Sequence, residues 1–415
     1  MIKRQCVTRI PSRLPVAVCV ALLTSCAATP ERPDSNQLLT LDEAARQVAD
    51  SVASQLKTDP SALGRLRASV GRPTKADHPL IVVDPMVDGT SGQQTALSAD
   101  LQQRILAQLV TGQSGLEVVS FTSESIARAQ LVMTGTIALE QSSVKETGSS
   151  RSTARIQLAL TSLKTGVVTA QASARVKTAE FDLTPNKFEQ DSPAVLKDPV
   201  VRGYIQTAAT AAGTEAYSSY FKHLTASTEI AEGTNAYNQT QYAKSLQHFQ
   251  AALSDSSGQQ LRALNGTYLA DVKLGKVGNA EEAFARIVAF GVSNRDFGVK
   301  FLFNPNTTEF WSDAVISGPY DMWLREIARV ILQSQACVNV VGHASHTGSE
   351  SYNDKLSEQR AQRIRQRLVS EAPGLSGRLT AKGVGFRENI VGLGSDDARD
   401  AQDRRVSFEF RDCGS

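Results

Sequence analysis

His343, Ser345 and His346 stand within four positions of one another. A serine between two histidines invites both hydrolytic and metal chemistry, and neither gathers support. A nucleophilic serine needs an elbow that exposes its hydroxyl, and no G-x-S-x-G occurs in the chain. A zinc centre needs three or four ligands at recognisable spacing, yet the five histidines make no HExxH pair and the five cysteines no Cys-x-x-Cys. Gly392-Leu-Gly394 lacks the strand-to-helix context of a dinucleotide loop. The expectation is a non-enzymatic chain with no metal or cofactor. Arg360 offers a different chemistry, because a guanidinium grips a carboxylate through two parallel hydrogen bonds. It shares a helix-patterned stretch with Arg363, Arg365 and Arg367, so the competing reading is a solvated charge on a basic helix.

No global field assists such a group. Lys+Arg of 44 against Asp+Glu of 42 gives a formal net charge of +2, which argues against nucleic acid as a partner. The 415 residues are too many for one ordinary domain, and at ~150 residues per domain the expectation is two to three. Lys3, Arg4, Arg9 and Arg13 precede a short apolar run over residues 14–23. That run is far below the roughly 20 residues that span a bilayer and fits a secretory h-region. Leu23-Thr24-Ser25-Cys26 resembles the bacterial lipobox. The resemblance implies cleavage before Cys26 and acylation of its sulfur and new amine. Ala27 in place of aspartate implies sorting to the outer membrane. The alternative is an ordinary signal peptide with an incidental cysteine.

Residues 1–25 are thus read as a lipoprotein signal peptide and 26–37 as a lipidated tether. Thr40-Leu-Asp-Glu43 is a capping-box pattern opening a helix within 38–60, with Leu41, Ala45, Val48, Val52 and Leu56 on one face. Within a domain at 61–180, residues 79–178 alternate strand and helix periods and end in a hairpin turned by Lys164-Thr-Gly166. This β-α-β-α-β order, with Thr-Gly-Thr in one strand and Lys-Thr-Gly-Val-Val after it, resembles FlgO/TolB amino-terminal domains, an α/β class that binds proteins. Residues 201–226 look helical. From Gly233 the small and aromatic residues Ala236, Tyr242, Ser245, Phe249 and Ala252 resemble a tetratricopeptide unit within 181–296, with a second pair of helices after it. Two units do not close a solenoid core alone, so the segment is either a spacer packed on its neighbours or a peptide-binding groove.

The region 297–415 is the most informative. Residues 299–303 read as a strand, 320–335 as a helix, 337–342 as a strand, 351–370 as a long helix, and 379–383 and 406–410 as strands. Gly342-His343-Ala344-Ser345-His346-Thr347-Gly348, Tyr352-Asn353-x-x-Leu356-Ser357-x-x-Arg360-Ala361, Gly383-Val-Gly385 and Asp403-Arg404-Arg405-Val406 stand in order. They resemble the OmpA-like peptidoglycan-associating domain. The resemblance implies a β-α-β-α-β-β fold with a mixed sheet, the last strand antiparallel beside the second. Cys337 and Cys413 would then meet, and the resemblance predicts their disulfide in an oxidising compartment, given Cα atoms within ~4.4–6.8 Å.

It also implies a ligand, the peptide stem of peptidoglycan, whose diaminopimelate-type residue carries an ammonium and a carboxylate. Arg360 matches the arginine that takes the carboxylate. Asn353 and Arg405 match positions that shape or border the same pocket. Ser345 stands where the family usually has the aspartate that pairs with the ammonium, and Glu350 follows the Thr347-Gly348 turn, poorly placed to replace it. The reading is an outer-membrane lipoprotein that links membrane to peptidoglycan, on the periplasmic face. The alternative is an assembly or activator component of an envelope machine or wall synthase, meeting a protein partner through residues 61–296. A wall-cleaving enzyme stands last, for want of a catalytic constellation.

Overall fold

The computed structural model describes residues 37–58, 79–111, 116–140, 153–177, 181–195, 197–304, 306–389 and 403–413. Cys26 and the expected signal peptide and lipobox lie outside the described residues, as do Gly392 and Gly394.

The first region runs β1 (Leu38–Leu39), α1 (Leu41–Thr58), β2 (Leu80–Val83), β3 (Val87–Asp88), α2 (Ala96–Thr111), β4 (Glu117–Ser120), α3 (Ser123–Arg128), β5 (Leu131–Glu140), β6 (Thr153–Ser162) and β7 (Val168–Lys177). The capping box is formed: Glu43 N–H donates to Thr40 Oγ1 at 3.3 Å and Thr40 N–H to Glu43 Oε2 at 2.9 Å. The strands order as β1-β7-β6-β5-β2-β4, with β3 against β5. Strands β5, β2 and β4 are parallel, while β5, β6 and β7 form an antiparallel meander. Ile81 and Val83 of β2 join the core with α1 and α2, and Val82 joins Tyr204, Tyr220 and Leu224 on the other face. A sheet covered on both faces is why Leu80–Val83 is apolar without alternation.

The helical segment comprises α4 (Lys187–Asp191), α5 (Pro199–Ala208), α6 (Ser218–Phe221), α7 (Leu224–Asn238), α8 (Tyr242–Leu253), α9 (Leu261–Lys273) and α10 (Val277–Asn294). The expected helix over 201–226 is broken. After Ala208 the backbone leaves helical geometry to pair with the hairpin: Gly213 N–H donates to Val168 O at 2.8 Å and Val168 N–H to Thr214 O at 2.9 Å. Helices α7 to α10 make two hairpins around Phe249. A Cβ at Gly266 would lie 2.3 Å from the Phe249 ring, so glycine is what lets α9 approach.

The last region runs β8 (Asp296–Val299), α11 (Ala314–Ser317), α12 (Tyr320–Ser334), β9 (Cys337–Gly342), α13 (Glu350–Glu371), β10 (Leu379–Gly383) and β11 (Val406–Arg411). Its sheet orders as β10-β9-β11-β8, with β10 parallel to β9 and β11 antiparallel to both neighbours. This is the expected mixed β-α-β-α-β-β arrangement, with one correction. The first strand is 296–299, not 299–303, because Val299 pairs with Val406, the first residue of β11. Beyond it, among the described residues, no strand pairs with the chain, and Lys300 N–H turns to Pro193 O at 2.9 Å. One hydrophobic core extends from Phe188 through the helical hairpins to Phe408. The Phe284 and Trp323 rings stack within it at 5.4 Å. Among the described residues no helix is long and apolar enough to cross a membrane.

Candidate functional site

The loop from β9 into α13 is held against the helix by close backbone approach. A Cβ at Gly342 would lie 2.0 Å from Ser357 O, so only glycine ends β9 at this distance. Ser357 Oγ accepts from Gly385 N–H at 3.0 Å and donates to Asp354 O at 2.9 Å. Ala344 N–H donates to Gly385 O at 2.9 Å, which fixes the start of the loop. Ser349 caps α13, its Oγ accepting from Tyr352 N–H at 3.3 Å.

Between this loop, α13 and the segment after β8 lies a small cleft open to solvent. Asn353, Leu356 and Arg360 reach it from one face of α13, three and four residues apart. Ser345 and Thr347 face them from the loop, and Phe303, Trp311 and Arg404 complete the wall. Among the described lining residues there are two guanidinium groups and no carboxylate. Ser345, Asn353 and Arg360 are all buried, Arg360 being only 3% exposed.

Arg360 is held by its surroundings. Its Nε donates to Thr307 O at 3.1 Å and Nη2 to Asn304 O at 3.3 Å, while the guanidinium carbon sits 4.9 Å from the centre of the Phe303 ring. Phe303 and Phe310 bridge the loop that supplies those carbonyls, with ring centres 5.4 Å apart. The apolar run 299–303 reads as strand in sequence, which hides this clamp; the closely spaced Phe303, Phe310 and Trp311 are its trace there. The other arginines of α13 are spent elsewhere. Arg365 Nε donates to Leu379 O at 2.8 Å, and Arg367 pairs with Asp321 at 2.6 Å.

Asn353 Nδ2 donates to Thr347 O at 2.9 Å and Ser349 O at 3.2 Å, so it braces the loop while lining the cleft. Arg405, expected at the same pocket, lines a separate cavity beside His343, Ser407 and Arg202. Arg404 takes the place in the cleft, because consecutive residues entering β11 face opposite sides. Glu350 pairs with Arg387 at 3.0 Å and is absent from the cleft wall.

The two loop histidines part company. His343 is buried, its Nε2 2.8 Å from Ser407 Oγ. Burial above all, with Arg405 and Lys382 nearby, lowers its pKa to about 3. His346 is exposed and packs on Phe386 at 4.2 Å between ring centres. A grouping with no motif spacing in the sequence lies on α7 and α8, where possible ligand atoms of Glu229, Glu232 and His248 fall within 4.8 Å of one another. Glu229 there accepts from Ser123 Oγ at 2.6 Å and contacts His248 Nδ1 at 2.8 Å. At the far end of the last sheet Cys337 and Cys413 form a disulfide, Cα atoms 5.1 Å apart.

Residues 303–403 match the model of the OmpA family. Outer membrane protein A of Shimwellia blattae is 35% identical over 82 residues, covering 18% of this chain and 34% of that protein. The chain thus spans about a third of the length of the curated relative it matches. Among solved structures, the peptidoglycan-associated lipoprotein of Burkholderia pseudomallei matches at 22% identity and TM-score 0.24, covering 29% of this chain and 92% of that one. The periplasmic domain of Helicobacter pylori MotB matches at 18% identity and TM-score 0.24, covering 29% and 74%. The type VI secretion cell wall anchor of Pseudomonas aeruginosa matches at 25% identity and TM-score 0.22, covering 27% and 78%. Across residues 303–403 the chain carries an OmpA-like domain at its carboxy-terminal end.

Proposed function

We propose that this protein anchors to the cell wall through its OmpA-like domain, without catalysis. The carrying observation is the cleft in which Arg360 is fixed beside Ser345 and Arg404. Its ligand is the peptide stem of peptidoglycan, and a cleft with two guanidiniums selects the stem carboxylate. Ser345 offers a hydroxyl where an aspartate would meet the stem ammonium. A charge-assisted bond contributes ~1.5–3 kcal/mol and a neutral one about half, so affinity falls roughly tenfold relative to an aspartate-bearing cleft. Acyl chains on Cys26 hold the other end in the outer membrane, on its periplasmic face.

The test is retention of the whole chain on purified sacculi. The whole chain is required because the last domain shares its core with the helical hairpins. Wild-type retention with marked loss in Arg360→Ala is expected. No wild-type retention, or undiminished retention by the variant, overturns the reading. One observation favours a second role, recruitment of an envelope protein. Val272, Leu274 and Val277 stand exposed together at the turn between α9 and α10. A stoichiometric protein recovered from cross-linked membranes, and lost on making all three serine, supports that role.

A further inference from the structure

Asp84 directly follows β2, and β2 lies between β4 and β5. The chain leaves β2 through α2 to reach β4 on one side, then returns through α3 to β5 on the other. Open parallel sheets bind ligands at such a switch point, outside the carboxyl ends of the strands. A small cavity with an open mouth lies there between the sheet end and helices α5, α6, α7 and α9.

Its wall holds Asp84, Glu189 and Arg262. Asp84 Oδ2 accepts from Tyr220 OH at 2.8 Å. Arg262 Nη2 donates to Glu189 Oε1 at 3.2 Å and also to Gly92 O. Glu189 is 1% exposed, yet its Oε2 has no hydrogen-bond partner, and neither has Arg262 Nε. Lys300 does not line the cavity: its Nζ donates to Glu189 O at 2.8 Å and Gln190 O at 3.1 Å, from where its charge also acts on the Glu189 carboxyl. The wall therefore sets two carboxylates against one guanidinium, with one acceptor and one donor unspent. Buried groups left so are costly, and a ligand that supplies the complements recovers that cost.

We propose that this cavity is a binding site for a small primary amine with an oxygen acceptor beside it, of the amino-alcohol type. Its ammonium takes Glu189 Oε2 and Asp84, and its oxygen takes Arg262 Nε–H. Ile230 and Ala231 supply the apolar wall against its methylenes.

The test is calorimetric titration of the full chain with ethanolamine hydrochloride, against choline chloride at equal ionic strength. Choline carries the same charge and hydroxyl but no N–H donor. A pH near 8 lies above the value of about 7 to which burial lifts the Asp84 carboxyl; burial lifts Glu189 as well, opposed by Arg262, Lys300 and the Gln94 N–H. Saturable binding of ethanolamine and none of choline is expected, with at least a tenfold loss of affinity in Glu189→Gln. Ala231→Leu fills the cavity without touching a charge and abolishes binding while the circular dichroism stays unchanged. No saturable heat from ethanolamine, equal heats from choline, or undiminished binding by the filled variant overturns the site.

Discussion

The indole Nε1 of Trp323 donates to the hydroxyl of Tyr268 at 2.9 Å, joining the second helical hairpin to the first long helix of the OmpA-like domain. The Tyr268, Phe284 and Trp323 rings pack together around that bond. The hairpins, too few to close a solenoid core by themselves, are closed by α12.

Trp323→Ala is therefore expected to destabilise the chain by ~3–5 kcal/mol, the range for removing a buried large aromatic. Fluorescence and far-ultraviolet dichroism should report one coincident urea transition, moved to lower denaturant. Separate transitions for helices and sheet would show that the shared core does not couple them.

Ser345→Asp should raise retention on sacculi roughly tenfold if the stem ammonium lies beside that position. Arg360→Lys should not restore what Arg360→Ala loses, because an ammonium cannot make the bidentate fork. Equal retention by the lysine variant would remove the fork from the account.

Asp84 supplies a pH signature. Burial raises its carboxyl from 3.8 to about 7, against a lesser lowering by Tyr220 and Arg262. The native state therefore holds the proton more tightly than the unfolded chain across that window, so stability falls as pH rises through it and levels above. Asp84→Asn should flatten that part of the profile. Urea unfolding at about pH 5 and about pH 7.5 in both proteins measures the difference. An unchanged slope would contradict the assignment.

His343 gives the opposite sign. Its imidazole, held neutral by burial and by Arg405 and Lys382, has a pKa lowered from 6.5 to about 3. The unfolded chain takes the proton first, so this group's contribution is lost as pH falls from 6.5 towards 3. Its ring-proton resonance should stay at the neutral position down to about pH 4.5. Titration near 6.5 would disprove the burial argument.

Breaking Cys337–Cys413, which closes a separation of 76 residues, should cost ~2–4 kcal/mol. Paired Cys337→Ser and Cys413→Ser variants, unfolded with and without reductant, check it. The variants should match the reduced wild type.

What was legible in the sequence was local. Thr40 and Glu43 announce a helix start because both halves of the capping box lie within one turn. Cys337–Gly342 and Glu350–Glu371 carry their own periodicity, and the reading came within a residue of both. What escaped it was set by distant partners. Strand β8 ends where Val406 begins β11, over a hundred positions away. Strands β1 and β3, two residues each, have no period to read. Arg404 and Arg405 are neighbours of the same type, and only the pleat of the folded strand decides which one enters the cleft. The clamp on Arg360 is made of carbonyls, which leave no mark on residue type.

That clamp bears on the time course of binding. A free arginine side chain carries about 2 kcal/mol of rotamer entropy, normally surrendered when a ligand arrives. Arg360 has already surrendered it to Asn304, Thr307 and Phe303. On the proposed wall-binding role, encounter would need no searching by this side chain, and a deficit left by Ser345 would fall on residence time. Such a grip would form readily and let go early, an attachment made to be remade.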